Sequence, residues 1–190
     1  MKTRVMLPFF LLLLAVSITS VGAKELFVDA ADVAAISSSE GSGDTRFLVE
    51  FALPEELEGK VVDFACVSFD VSSSGEAGVV SLEAFRVTTA WDAVSVGWSE
   101  PWAKAGGDWD DGASADWVAP TGDGETVYLD VTDFVAGWLA EPSSNFGIVV
   151  KVSEPFSGVF SADRSQGAPR LRVLYSDKQD TAAMAESSRE

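Results

Sequence analysis

Apolar and polar residues alternate over several short runs of the chain, the two-residue period of strands with one buried face. In Thr45–Leu53 (TRFLVEFAL), Phe47, Val49, Phe51 and Leu53 share one face, Arg46 and Glu50 lie on the other, and Pro54 stops the run. EELEGK then reads as a turn plugged by Leu57. Val61–Val71 puts Ala65, Val67, Phe69 and Val71 on one side, and Glu125–Val131 puts Val127, Leu129 and Val131 inward. Arg170–Ser176 alternates Leu171, Val173 and Tyr175 with Arg170 and Arg172, while Ile148–Val152 is nearly continuous in apolar residues and suits a central strand. Val79–Thr89 is strand-like by its β-branched and aromatic content. Its phase is ambiguous, with Val80, Leu82 and Ala84 on one face and Phe85 and Val87 on the other, so a bulge or burial on both sides is expected. Lys24–Ser37 reads as an opening strand anchored by Phe27, Asp29 and Val33, and Gly158–Ala162 as a brief one.

The period changes once. Val131, Phe134, Val135, Trp138 and Leu139 form one apolar stripe at helical spacing. Thr132 stands where an N-cap is wanted, Asp133 adds an acid to the first turn, and Pro142 follows the end. Asp130 reads as structural, hydrogen-bonding near the helix start. Seven or eight strands separated by Gly, Ser and Asp turns, with one short helix, predict an all-β fold, an antiparallel β-sandwich of jelly-roll type over residues 24–176.

One stretch fits neither period. Val87–Trp117 holds Trp91, Trp98, Trp102, Trp109 and Trp117, a Gly-Gly-Asp turn, and Asp92, Asp108, Asp110, Asp111 and Asp116. It reads as a strand ending at Trp91, a turn to Trp98, and a long loop held down by indoles. Two readings stand. In one the tryptophans are core; in the other some face outward, because indole faces take the C–H side of a sugar ring while carboxylates and guanidinium groups bond its hydroxyls. Trp91, Trp98 and Trp138, flanked by apolar residues, read as core. Trp102, Trp109 and Trp117 are the candidate platforms, and Trp109 leads because Gly106-Gly107 and Asp110-Asp111-Gly112 flank it. Arg170 and Arg172 are candidate partners if the last strand borders that face. Asp108, Asp110 and Asp111 are either solvated loop acids or calcium ligands, since Ca²⁺ takes six to eight oxygens. The twelve-residue EF-hand frame fails at Ala119, so any such site is of loop type.

Composition narrows the chemistry. The 190-residue chain carries 30 acidic and 13 basic residues, a net charge of −17. That surface repels phosphate backbones, so nucleic acid is a poor partner. It has no histidine, which removes histidine-assisted nucleophilic catalysis, and the single Cys66 permits no intramolecular disulfide and reads as a buried small hydrophobe. Lys2 and Arg4, the apolar run Val5–Val16 and the small-residue site Val21-Gly22-Ala23 mark residues 1–23 as a signal peptide. The run is too short to span a bilayer. A secreted protein, extracellular or periplasmic, without membrane insertion after cleavage, is expected. Residues 177–190 lack periodicity and large apolar residues, and are expected to be disordered.

In order along the chain, RFLVEFALPEEL (Arg46–Leu57), LEAFRVTTAWDAVSVGW (Leu82–Trp98), Gly106-Gly107-Asp108, DVTDFVAGW (Asp130–Trp138), NFGIVVK (Asn145–Lys151), FSAD (Phe160–Asp163) and PRLRVLY (Pro169–Tyr175) resemble the motifs of the DNRLRE-domain family, also described as disaggregatase-related repeats. Glu50 stands where that family has an arginine, and Gly97 where it has threonine. A Ser/Gly loop replaces its Asn-x-Gly turn and following strand, so a missing or irregular strand is expected there. The resemblance implies a secreted β-sandwich of the kind attached to polysaccharide-active enzymes or surface proteins, some similar to carbohydrate-binding modules for acidic glycans. The expectation is a non-catalytic module binding a polysaccharide or cell-surface component through the Trp/Asp-rich loop. The alternative is a structural or adhesive domain with no small ligand. The overall charge weighs against an acidic glycan unless calcium bridges or Arg164, Arg170 and Arg172 form a local patch.

Overall fold

The alternating runs form two antiparallel sheets packed face to face. The computed structural model describes residues 23–38, 44–72, 78–121, 125–152, 159–160 and 168–178. The expected signal peptide up to residue 22, the turn residues 39–43 and 73–77, most of FSAD, Arg164 and residues 179–190 of the expected tail lie outside them, as do the side chains of Val71, Val80, Asp116 and Trp117. The strands are β1 (Lys24–Asp29), β2 (Asp32–Ser37), β3 (Thr45–Glu50), β4 (Lys60–Ser72), β5 (Gly78–Val87), β6 (Trp109–Thr121), β7 (Glu125–Asp130), β8 (Ile148–Val152), β9 (Val159–Phe160) and β10 (Arg170–Asp177), with one helix, α1 (Thr132–Ala140). Sheet A has the order β1-β10-β4-β7, with β9 paired to the end of β4, and sheet B the order β2-β3-β8-β5-β6. The pairs β1/β10, β3/β8, β4/β7 and β5/β6 are nested like the arms of one long hairpin, alternately assigned to the two sheets. That rolled hairpin is a jelly roll.

The inner faces meet in a core of Val49, Phe51, Ala65, Val67, Leu82, Ala84, Leu129, Ile148, Leu171 and Val173, all essentially without solvent exposure. Leu57 plugs it from the turn after β3, and Cys66 is buried. Val131 and the α1 residues Phe134, Val135 and Trp138 close it where the chain crosses from β7 to β8. The cap differs from the sequence reading. Val131 occupies the N-cap position, and Thr132, one residue inside, uses its Oγ1 to accept the Ala65 N–H at 2.9 Å. Asp130 Oδ1 takes the Thr132 N–H and hydroxyl instead, at 3.0 and 2.6 Å. The structural role expected of Asp130 holds.

Lys24–Ser37 is two strands rather than one. The chain crosses between the sheets at Ala30-Ala31, where Ala30 N–H donates to Pro169 O and Ala31 N–H to Glu50 O. Leu26 and Val28 face the core, so the period of two turns Phe27 and Asp29 outward, and Phe27 is 46% exposed. Of the expected anchors Val33 packs half-buried against the core, while Ala30, Ala34 and Ile36 are buried in place of Phe27 and Asp29. The Ser/Gly loop where a missing or irregular strand is expected lies mostly outside the described residues, between β2 and β3. The other missed element is β6, whose Asp, Gly and Pro content reads as loop. It lies at the edge of sheet B, the place where such residues are tolerated. Its register against β5 slips between Phe85 and Val87, the bulge that the ambiguous phase of that run foreshadowed.

Trp138 has 1% exposure and packs tilted against Phe134, ring centres 6.3 Å apart. Trp138→Ala is expected to cost about 3–5 kcal/mol, as for other large core aromatics. Urea melts measure it, and a loss of less than about 1 kcal/mol would show that α1 is not docked on the core.

Candidate functional site

Sheet B buries both of its faces. Opposite the core, its outer surface carries Ala34 and Ile36 of β2, Leu48 of β3, Val149 of β8, and Phe85 and Val87 of β5. The loop 88–108 folds back over these residues as a lid. Trp102 inserts with 6% exposure, and Trp91, Val96, Trp98, Trp109 and Phe146 pack around it half-buried. The indole N–H groups are tied to backbone, Trp102 Nε1 donating to Gly97 O and Trp91 Nε1 to Phe146 O, both at 2.8 Å.

Asp108 clamps the loop. One of its carboxylate oxygens accepts the Ala103 N–H at 2.8 Å and the Thr89 hydroxyl at 3.0 Å; the other accepts the Lys104 N–H at 2.9 Å. The Ala103 amide above all, with the Lys104 amide and Thr89, holds this carboxyl below the usual range. Gly106 and Gly107 have φ of 91° and 116°, a region that favours glycine. A Cβ at Gly106 would also fall on the Arg46 guanidinium, which donates to Gly106 O at 2.6 Å.

That guanidinium lies 4.6 Å from the Trp98 ring centre and 4.8 Å from that of Trp109. Lys104 Nζ is 5.0 Å from Trp109, and Lys151 Nζ is 5.4 Å from Trp109 and 4.7 Å from Phe85. Three cations therefore surround one indole. Each such contact contributes about 0.5–1 kcal/mol exposed and ~2 when desolvated. Asp111 Oδ1 accepts the Trp109 Nε1–H at 2.6 Å and fixes the ring's direction. Lys151 also reaches Glu83 at 3.3 Å, but among the described residues Arg46 and Lys104 form no ion pair.

The expected site residues are dispersed by this geometry. Trp109 is half-buried, its ring covered by residues of β3, β5 and β8 while Asp111, beside it in sequence, bonds its N–H. Trp102 is corrected to a core residue: a 6% exposed indole offers no face to a sugar. Trp117 stands opposite Leu82 in the β5–β6 register, with its side chain outside the described residues. Arg170 and Arg172 are also corrected. They lie on the outer face of sheet A, across the sandwich from the loop, and pair with Asp29 at 3.3 Å and Glu25 at 2.5 Å. The calcium set does not converge. Asp108 serves the loop amides, Asp110 Oδ2 meets Arg86 Nη2 at 2.6 Å, and Asp111 holds Trp109. Among the described residues no three metal-ligating side chains gather around one point.

Arg46, Lys104 and Lys151 are the residues that sequence reading missed. The only signal was Arg46 and Lys151 ending runs whose odd-face neighbours, Leu48 and Val149, are apolar when a solvated face should be polar. The chain matches no protein-family model and no curated protein.

Two outcomes test this account. Asp108→Ala is expected to cost about 1–2 kcal/mol for its lost hydrogen bonds and to shift tryptophan emission to the red as Trp102 opens to water. Because the folded carboxyl titrates below its ordinary 3.8, its contribution is present above that value and lost as pH falls through the depressed one. Acid titration of the emission should therefore have a component below pH 3.8 that Asp108→Asn removes. Second, millimolar calcium and excess chelator should give the same melting temperature, since a ligand shifts it only through a site on the folded form.

Proposed function

We propose that this chain is a secreted, non-catalytic β-sandwich module that binds a polysaccharide bearing acidic groups on the outer face of sheet B. The observation that carries the reading is the gathering of Arg46, Lys104 and Lys151 around Trp109 at 4.8–5.4 Å. With cations already stacked on it, the indole serves as their platform, and its exposed part is the apolar contact for a sugar ring. Carboxylate or sulfate groups along a glycan are the complementary chemistry, Arg46 offering a planar fork and the lysines mobile point charges.

The net charge of −17 does not decide against this. Charges farther away than about 8 Å are largely screened at physiological ionic strength, so the local balance governs what a bound group feels, three cations against Asp111 on the Trp109 N–H and Glu83 on Lys151. The motif likeness to DNRLRE-domain modules and the leader-like first 23 residues support the polysaccharide and export parts of the reading. The absence of histidine supports a non-catalytic role.

A second reading, a structural or adhesive domain, is favoured by one observation: Trp91, Trp98 and Trp102 are used to cover sheet B rather than to face solvent. Titration of the folded chain with a polyuronate, a sulfated polysaccharide and a neutral glucan separates the two. Binding to an acidic polymer that weakens with added salt is expected. Lys104→Ala with Lys151→Ala should weaken it roughly tenfold, at about 0.5–1 kcal/mol per partly exposed charge. Trp109→Ala should weaken it further by removing the platform. Equal binding of the neutral glucan would remove the acidic-group requirement, and no binding of any polymer would leave the structural reading.

A further inference from the structure

We infer a second binding site, for one neutral sugar residue, in the recess on the other side of strand β6 from Trp109. The recess measures about 380 Å³, within the roughly 300–1,000 Å³ of small-molecule pockets. It lies between the C-terminal half of α1, the turn before β8, and the paired ends of β5 and β6. Successive side chains of a strand point to opposite sides, so Trp109 faces the loop while Asp110 faces this recess. The inference uses none of the three cations around Trp109 and stands apart from that site.

An Arg86–Asp110 pair forms one wall, Nη2 to Oδ2 at 2.6 Å, with the side chains 30% and 36% exposed. Asp110 also accepts the Gly112 N–H at 2.9 Å, and Arg86 above all, with that amide, holds its carboxyl below the usual range. Arg86 reaches α1 at Gly137. A Cβ at Gly137 would come within 2.9 Å of Nη1. Glycine inside a helix costs about 1 kcal/mol relative to alanine, so α1 carries a local loss where the guanidinium enters. An ion pair tying the end of β5 to the start of β6 would account for Arg86 and Asp110. It would not account for the open volume beside them.

The lining chemistry selects the ligand class. A guanidinium donor and a carboxylate acceptor held side by side match neighbouring hydroxyls, since each hydroxyl both donates and accepts. The hydroxyl of Ser144 donates to Glu141 O at 2.7 Å and retains acceptor capacity, and Thr88 adds another hydroxyl. Ala140 and the half-buried Phe146 give the apolar side that takes the C–H face of a pyranose, with Val87 buried behind them. Asp110 and Glu141 together exceed the single charge of Arg86, so an anionic sugar is disfavoured here, in contrast to the Trp109 face.

Backbone-amide NMR of the full chain, titrated with the methyl glycosides of glucose, galactose and mannose and with glucuronate, tests the site. The expected result is shifts at Arg86, Thr88, Gly137 and Phe146 with at least one neutral glycoside and weaker ones with glucuronate. Ala140→Phe, an exposed position at the end of α1, fills the recess; it should lower affinity at least about tenfold and leave the melting temperature unchanged. Trp109→Ala should leave the recess shifts in place. Shifts confined to Trp98, Lys104 and Trp109, glucuronate moving the recess amides as strongly as the neutral glycosides do, an inert Ala140→Phe, or no response to any glycoside would each overturn the inference.

Discussion

Leu48, Phe85 and Val149 point away from the main core, and the need to keep water off them shapes everything on that side of the molecule. Burying such a side chain is worth about 1.5–3 kcal/mol. Ordering each residue of the covering loop costs about 1–2 kcal/mol of backbone entropy, so three aliphatic or aromatic anchors do not suffice for a lid running from Thr88 to Asp108. The indoles supply the remaining apolar area, and Asp108 supplies the turn geometry. Trp109 then becomes the outer layer of a small second core. Its cations are there because a half-exposed indole on a β-sheet is a place where long basic side chains lie down.

The framework was legible because the main core obeys a simple rule. In β4, β7 and β10 it is mainly one face that is buried, and the period of two in Ala65-Val67-Phe69, Val127-Leu129 and Leu171-Val173-Tyr175 records it directly. The stripe Phe134, Val135, Trp138 did the same for α1. Legibility failed where burial has two sides or comes from far away. In β5 both Ala84 and Phe85 are inside something, so the phase could not be assigned from sequence. The strand β6 lacks apolar periodicity because an edge strand does not require it. Trp109 looked solvated from its sequence neighbours, yet Arg46, Phe85 and Lys151 reach it across the sheet. A local window cannot contain contacts at such separations. The same limit hid the division of labour among Asp108, Asp110 and Asp111. Three acids close in sequence read as one cluster, and the strand's alternation together with the turn before it sends each to a different partner.

Charge shows the distance between composition and site. Thirty acids against thirteen bases describe the chain as strongly anionic. On the outer face of sheet A, Arg170 and Arg172 are spent on Asp29 and Glu25, in keeping with that average. On the outer face of sheet B, Arg46 stacks on aromatic rings and bonds a carbonyl, and burial lowers its pKa without approaching neutrality. One face thus pairs its arginines with acids and the other stacks its arginine on indoles, a difference that a sum over the sequence cannot express.

The nesting of the rolled hairpin also fixes how the fold bears load. In the β1–β10 pair, Lys24 lies opposite Tyr175 and Asp29 opposite Arg170, so the first residue of β1 and the last turn of β10 sit at the same end of the ladder. Among the described residues β1 pairs only with β10. Tension drawn across Lys24 and Asp177 acts perpendicular to the strands. It opens the Lys24–Asp177 contact first and then the rungs one after another, like a zipper, instead of loading all of them in parallel as shear would. In that pulling direction the mechanical resistance is set by single rungs, however stable the core behind them.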